Sequence, residues 1–171
     1  MGLPPRGRTV GLTWAESYLG RVRASVGDTD TIFFVGARTV VLDDRSRLLL
    51  IQRSDNHRWA IPAGAMELGE SMEECAIREL WEETGLRATS LTPYAFYTAY
   101  TYTNEYRHTY QQVLMTFVVD SWEGELLRQT DESVDAGFFA LDALPGGRSF
   151  IIDEALADLA TFQATGRLVM K

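Results

Sequence analysis

GAMELGESMEECAIRELWEETGL, residues 64–86, places seven glutamates in 23 positions. Ser71 followed three residues later by Glu74 is a capping box, good helix formers follow, and Gly85 stands where a helix ends, so the spacing predicts a helix over 72–84. At 100° per residue, Ala76, Ile77, Leu80, Trp81 and Thr84 share one face, while Cys75, Glu79, Glu82 and Glu83 share the other. Glu79 is three residues from Glu82 and four from Glu83, so the three side chains converge above the helix. Two ionised carboxylates about 5 Å apart repel by roughly 3 kcal/mol at an effective dielectric of about 20. Solvent and a partner such as Arg78 reduce that cost, and a bound cation reverses it. Two readings follow: a solvated acidic face laced by salt bridges, or a coordination shell. Oxygen donors without thiolate or paired histidines favour magnesium, with manganese as the alternative, and such ions take their remaining ligands from water and substrate phosphate.

Upstream, TIFFVGARTVVLDD from Thr31 reads as a long strand, Asp43 to Ser46 as a turn, and RLLLIQR as its hairpin partner. Downstream, LTPYAFYTAYTYT and TYQQVLMTFVVD are rich in β-branched and aromatic residues and form a second strand pair, with a polar loop at 104–108. A short strand at Gly137 to Ala140 and a helical pattern from Ile151 to Ala160 close the chain. Near the other end, Thr13 and Glu16 form a further capping box. Trp14, Tyr18, Val22 and Val26 then make a stripe that predicts an amphipathic helix ending near Gly27, buried on the core or on a second copy. The expected organisation is an N-terminal extension over 1–30 and one domain over 31–171. Its elements give an α/β fold with a mixed β-sheet between helices.

The 171 residues are 46% hydrophobic and 23% charged, ordinary for a globular chain. A net charge of -8 disfavours nonspecific binding to nucleic acid or to anionic membrane, so neither is expected as a partner. The lone Cys75 excludes an intrachain disulfide and fits a reducing compartment. Residues 1–12 hold no continuous apolar stretch of the kind a signal peptide or membrane span needs, so a cytoplasmic location is expected.

The glutamate segment resembles the Nudix box, G-x5-E-x7-R-E-U-x-E-E-x-G-U, at every fixed position: Gly64, Glu70, Arg78, Glu79, Leu80, Glu82, Glu83, Gly85 and Leu86. Trp59 and Pro62 before it, and the segment from Glu132 to Pro145 after it, agree with the family, so the resemblance spans about Thr31 to Pro145. It implies a Nudix α/β/α sandwich and metal-dependent hydrolysis of a pyrophosphate bond in a nucleoside diphosphate derivative. Carried over by position, Glu79, Glu82 and Glu83 become metal ligands, with Glu70 and the carbonyl of Ala63 as further candidates. Arg78 orients the acidic groups, since a guanidinium is no base. Either Glu83 or Glu132 takes the proton from the attacking water.

Arg53, His57 and Arg58 precede the box and are candidates for phosphate contact; each on its own reads equally as a surface charge. Six of the seven tyrosines fall between Tyr94 and Tyr110, where strand packing accounts for most of them. Tyr102, sixteen residues after Leu86, matches a position associated with dinucleoside polyphosphate hydrolases, whereas the overall layout resembles ADP-ribose pyrophosphatases; a nucleoside triphosphate is the third option. His108 reads as a surface loop residue, and Cys75 as packing beneath the site. A homodimer is expected by family analogy. The rival reading is a catalytically silent Nudix-fold nucleotide sensor, against which the intact set of box glutamates argues.

Overall fold

The computed structural model describes residues 12–104 and 106–171. The reading of the first twelve residues thus lies, except for Leu12, outside the described part. Helix α1 (Tyr18–Val26) is followed by strands β1 (Ile32–Val41), β2 (Leu48–Arg53), β3 (Trp59–Ala60) and β4 (Ala63–Ala65). Helix α2 (Met72–Thr84) leads to β5 (Arg87–Tyr97), β6 (Thr101–Thr103), β7 (Thr109–Glu123) and β8 (Ser133–Phe139). Helix α3 (Ile151–Thr165) and strand β9 (Val169–Met170) complete the order. Among the described residues no helix is long and apolar enough to cross a membrane.

A mixed sheet in the order β4-β1-β7-β5-β9, with β6 on β7, forms one layer, and a smaller antiparallel sheet β3-β2-β8 lies beside it. The α/β architecture is the one expected, but the first hairpin is not. β1 gives one edge to β4 and the other, in parallel, to β7. With both edges used, β2 joins the second sheet, and an isolated bridge, Leu42–Leu48, links it to the extension of β1. The turn between them is built as the sequence suggests: the Asp43 carboxylate accepts the N–H groups of Arg45 and Arg47, and Ser46 adopts φ 57°.

The helix at the start of the chain also differs. The Glu16 carboxylate accepts both the N–H and the hydroxyl of Thr13, which closes a separate turn. α1 itself starts after Ser17, whose hydroxyl accepts the Gly20 N–H. This shifts the buried face to Leu19, Gly20 and Arg23, leaving Trp14, Tyr18 and Val26 exposed. Arg23 is buried because its guanidinium donates to the carbonyls of Gly27, Asp30 and Thr109 and lies over the Tyr110 ring.

β1 shows how the layers close. Its first half alternates in exposure, and from Gly36 onward every residue is buried. Ala37 meets Cys75 and Ala76 of α2, and Val41 meets Leu80. Val40 joins Ile152, Ala155 and Leu159 of α3 in the main core. Tyr94 and Tyr97 belong to that core, their hydroxyls bonded to the Ala155 carbonyl and to Asp158. The two helices therefore clamp one sheet, and α2 is seated where β1 and β4 run side by side.

Candidate functional site

α2 has the predicted limits. Ser71 and Glu74 complete a reciprocal capping box, and Gly85 takes the left-handed conformation at φ 75° while its N–H caps the Trp81 carbonyl. What the helical wheel did not give is the burial of the acidic face. Glu79 is 8% exposed and Glu83 2%. The reason is Gly64 on β4: a Cβ there would stand 1.9–2.2 Å from the Glu79 carboxylate atoms, so the carboxylate occupies the space a side chain would fill. One residue earlier, the Ala63 N–H donates to Glu83 Oε2 at 3.0 Å.

Arg78 ties the remaining acids together. Its Nε and Nη2 hold both oxygens of Glu70 at 3.0 and 2.6 Å. Its Nη1 reaches Glu79 at 2.6 Å and Glu82 at 3.1 Å, and Nη2 also donates to the Ala65 carbonyl. A single planar fork thus fixes three carboxylates and one strand carbonyl, which a lysine ammonium cannot do. The arrangement also separates the acids. Glu70 and Glu82 stay with the guanidinium, whereas Glu79, held by it too, also offers an oxygen to a second group: carboxylate oxygens of Glu79, Glu83 and Glu132 lie within 4.8 Å of one another, close enough to share one cation.

Glu132 comes from the loop entering β8, some fifty residues beyond the box. The Ser54 N–H donates to its carbonyl, and the hydroxyl of the adjoining Ser133 bonds the Glu83 carbonyl, which fastens this loop to α2. Unlike its two companions, Glu132 is exposed to solvent.

The electrostatics follow from this crowding. Burial raises the Glu79 carboxyl to about 7 against the opposing pull of Arg78, with Glu132 and Glu82 adding to the rise. Glu83 is raised well above the carboxylate range by burial and by Glu79 and Glu132. Partial desolvation and Glu82 raise Glu132. Burial also acts upward on Glu70, but the Arg78 bonds outweigh it and hold that group low. Three acids whose carboxyls are raised together, two of them buried, would be stabilised as anions by a positive charge placed among them. Cys75 sits beneath, its Sγ 3.6 Å from the Gly64 carbonyl, and burial keeps it a thiol.

Beside this cluster a cavity of about 310 Å³ opens between β1, β7 and the start of α3, and Ala63 lies on its wall. Arg53, Arg58 and Tyr102 line it; His57 does not, being an exposed residue of the β2–β3 turn with φ 55°. Arg53 is pinned by Asp55, its Nε and Nη2 donating to the two carboxylate oxygens. Arg58 and Tyr102 are exposed near the mouth. His108 is half-buried rather than on the surface, against the rings of Trp14, Tyr106 and Tyr110, with Nε2 3.1 Å from Asp28.

Two cavity residues had escaped the sequence reading. Arg38 and Gln112 project from the apolar strands β1 and β7 into the same space. A lone arginine inside IFFVGARTVV was the available signal, because a charge in a strand that reads as buried needs a local reason.

The NUDIX domain family model matches residues 33–159. The chain is 36% identical over 110 residues to an NAD-capped RNA hydrolase NudC of Chromobacterium violaceum, covering 63% of this chain and 38% of that protein. It is 33% identical over 111 residues to an ADP-ribose pyrophosphatase of Methanocaldococcus jannaschii, covering 61% of each. Among solved structures, a MutT NUDIX hydrolase from Burkholderia pseudomallei superposes with a TM-score of 0.63 at 24% identity, over 76% of this chain and 98% of that one. The chain spans less than half the length of that NudC and of a NudC of Vibrio cholerae, 38% and 46% respectively.

Proposed function

Because the chain belongs to the Nudix family, we propose that it hydrolyses a pyrophosphate bond in a nucleoside diphosphate derivative, with a divalent cation held by Glu79, Glu83 and Glu132. The observation that carries this is the convergence of three carboxylates, two of them buried, beside a strand whose Gly64 makes room for Glu79. The donor set is all oxygen, which suits magnesium or manganese. Such an ion, when bound, neutralises charge on the bridging phosphates and lowers the pKa of a coordinated water.

The chain's own residues do the rest. Glu83, with Oε2 already engaged by the Ala63 N–H, is a fixed ligand, and Glu79 is a second, held at its other flank by Arg78. Glu132 is the member of the group that solvent reaches, and it takes the proton from the attacking water. Arg78 keeps Glu79 and Glu82 in register without touching substrate, Glu70 serves as its anchor, and Glu82 stands at the edge of the cluster as an outer ligand. Arg53 and Arg58 stabilise phosphate oxygens at the cavity wall, and Tyr102 offers a ring near its mouth. The products are a nucleoside monophosphate and a phosphorylated remainder.

Incubation with a nucleotide panel in magnesium, with products identified by mass, tests the proposal. The panel includes ADP-ribose, a dinucleoside polyphosphate, a nucleoside triphosphate and, given the names of the relatives, an NAD-capped oligonucleotide. Cleavage that is lost in Glu83→Gln supports it. Equal turnover by Glu83→Gln and the parent chain overturns the role given to Glu83, and nucleotide binding without any product over long incubation favours a silent sensor.

A further inference from the structure

Arg38 stands across the β1–β4 ladder from Ala63, the residue whose N–H holds Glu83, so it begins beside the carboxylate cluster. Its side chain enters the cavity and is 5% exposed. Of the five N–H donors a guanidinium carries, one is given to Gln112 Oε1 at 3.3 Å, and the face of Tyr97 lies 5.4 Å away. Among the described residues no carboxylate forms an ion pair with it. Glu154, the acid whose charge favours it, is engaged by the Tyr100 hydroxyl and by Lys171 Nζ. Two neighbouring arginines find partners: Arg53 in Asp55 and Arg23 in three carbonyls, although the Nε of Arg23 has none.

Burying a cation without a counter-charge is costly, and desolvation does act against this one. Bonding Gln112 through its oxygen leaves that side chain's two amide hydrogens as further donors. The inner part of the cavity therefore offers several donors and a positive charge against apolar walls such as Phe34 and Leu114. A group rich in acceptors and negatively charged complements it; a neutral apolar group leaves the donors unmade.

We propose that Arg38 and Gln112 form an oxyanion subsite, which receives a phosphate or carboxylate carried by the ligand beyond the diphosphate at the carboxylate cluster. The identity of the rest of the ligand rests on the functional reading above; the subsite does not. The preference it confers is for nucleotide derivatives whose distal part is itself anionic.

Calorimetry on the full chain, freed of divalent ions, tests this with inorganic phosphate, acetate and adenosine as probes. Binding of phosphate or of acetate is expected, and whichever binds identifies the source of the oxyanion. Arg38→Met should weaken it about 10- to 100-fold, as loss of a charge-assisted pair does. Arg128→Met, an equal change of charge at an exposed site paired with Asp135, should leave it within about 3-fold. A second measurement guards against misfolding: Arg38→Met should melt at or above the parent temperature, because it removes a buried charge that no carboxylate compensates. The proposal is overturned if neither anion binds, if Arg38→Met binds as the parent does, if adenosine alone binds, or if Arg38→Met melts well below the parent. No hydrolysis enters these measurements, so a chain inactive on every nucleotide can still pass them and an active hydrolase can fail them.

Discussion

Gly64→Ala puts one methyl group where the Glu79 carboxylate now lies. The added carbon would stand 1.9–2.2 Å from the three carboxylate atoms, and ordinary contact begins at 3.4 Å, so the carboxylate must retreat by about 1.4 Å. It has little room to do so, being 8% exposed and held at one oxygen by Arg78. A displacement of about 1 Å at a reacting centre costs on the order of 100-fold in rate. The expected result is a loss of roughly that size in kcat, with weaker activation by magnesium, while the KM for nucleotide changes far less. Magnesium titrations of turnover at saturating nucleotide read this directly. Gly146→Ala is the control, since a methyl there meets nothing within 4 Å. If Gly64→Ala matches the parent in both kcat and magnesium dependence, Glu79 is not a ligand whose position matters, and the reasoning from the close contact is wrong.

Other perturbations act on the same frame. The Glu79 carboxyl is raised from 4.5 to about 7 in the folded chain, so the folded state binds the proton more tightly. Metal-free stability should then fall as pH rises from about 4.5 to 7, by about 3 kcal/mol from this group alone, and a bound cation should restore it. Thermal melts should accordingly show a magnesium-induced rise that grows from pH 5 to pH 8; a rise independent of pH contradicts the assignment. Arg78→Lys cannot hold Glu70, Glu79, Glu82 and the Ala65 carbonyl at once, and should lower kcat about 10- to 100-fold with little change in nucleotide KM. Ser71→Ala removes the hydroxyl that caps the Glu74 N–H and should cost about 1 kcal/mol in denaturant unfolding while turnover persists.

How much of this was legible in the sequence depends on the range of the interactions involved. α2 was readable to the residue because its signals are local: a cap, a left-handed glycine and a period of 3.6. Gly64 and Arg78 were legible as fixed positions of the box, and the resemblance implied the orienting role of Arg78; the room that Gly64 makes and the burial of Glu79 were not, because both depend on a strand approaching the helix. Glu132 was nameable only through the family resemblance, since nothing within its own segment distinguishes it from a loop acid. The first hairpin was misread because edge pairing of β1 by β4 and β7 is settled by residues far along the chain. β9 was missed altogether: two residues, Val169 and Met170, carry no period, and their strand exists only because β5 offers an edge. The stripe on α1 missed the core for a local reason, since Glu16 closed a turn around Thr13 in place of starting the helix.

The central claim is that Glu79, Glu83 and Glu132 are a cation site. Titration of the metal-free chain with manganese, followed by the loss of free-ion electron paramagnetic resonance signal, tests it without recourse to substrate. Saturable binding that weakens about 100-fold or more in Glu83→Gln is the result this account predicts. Binding of equal affinity in the parent and in Glu83→Gln, or no saturable binding by the parent at neutral pH, would contradict it.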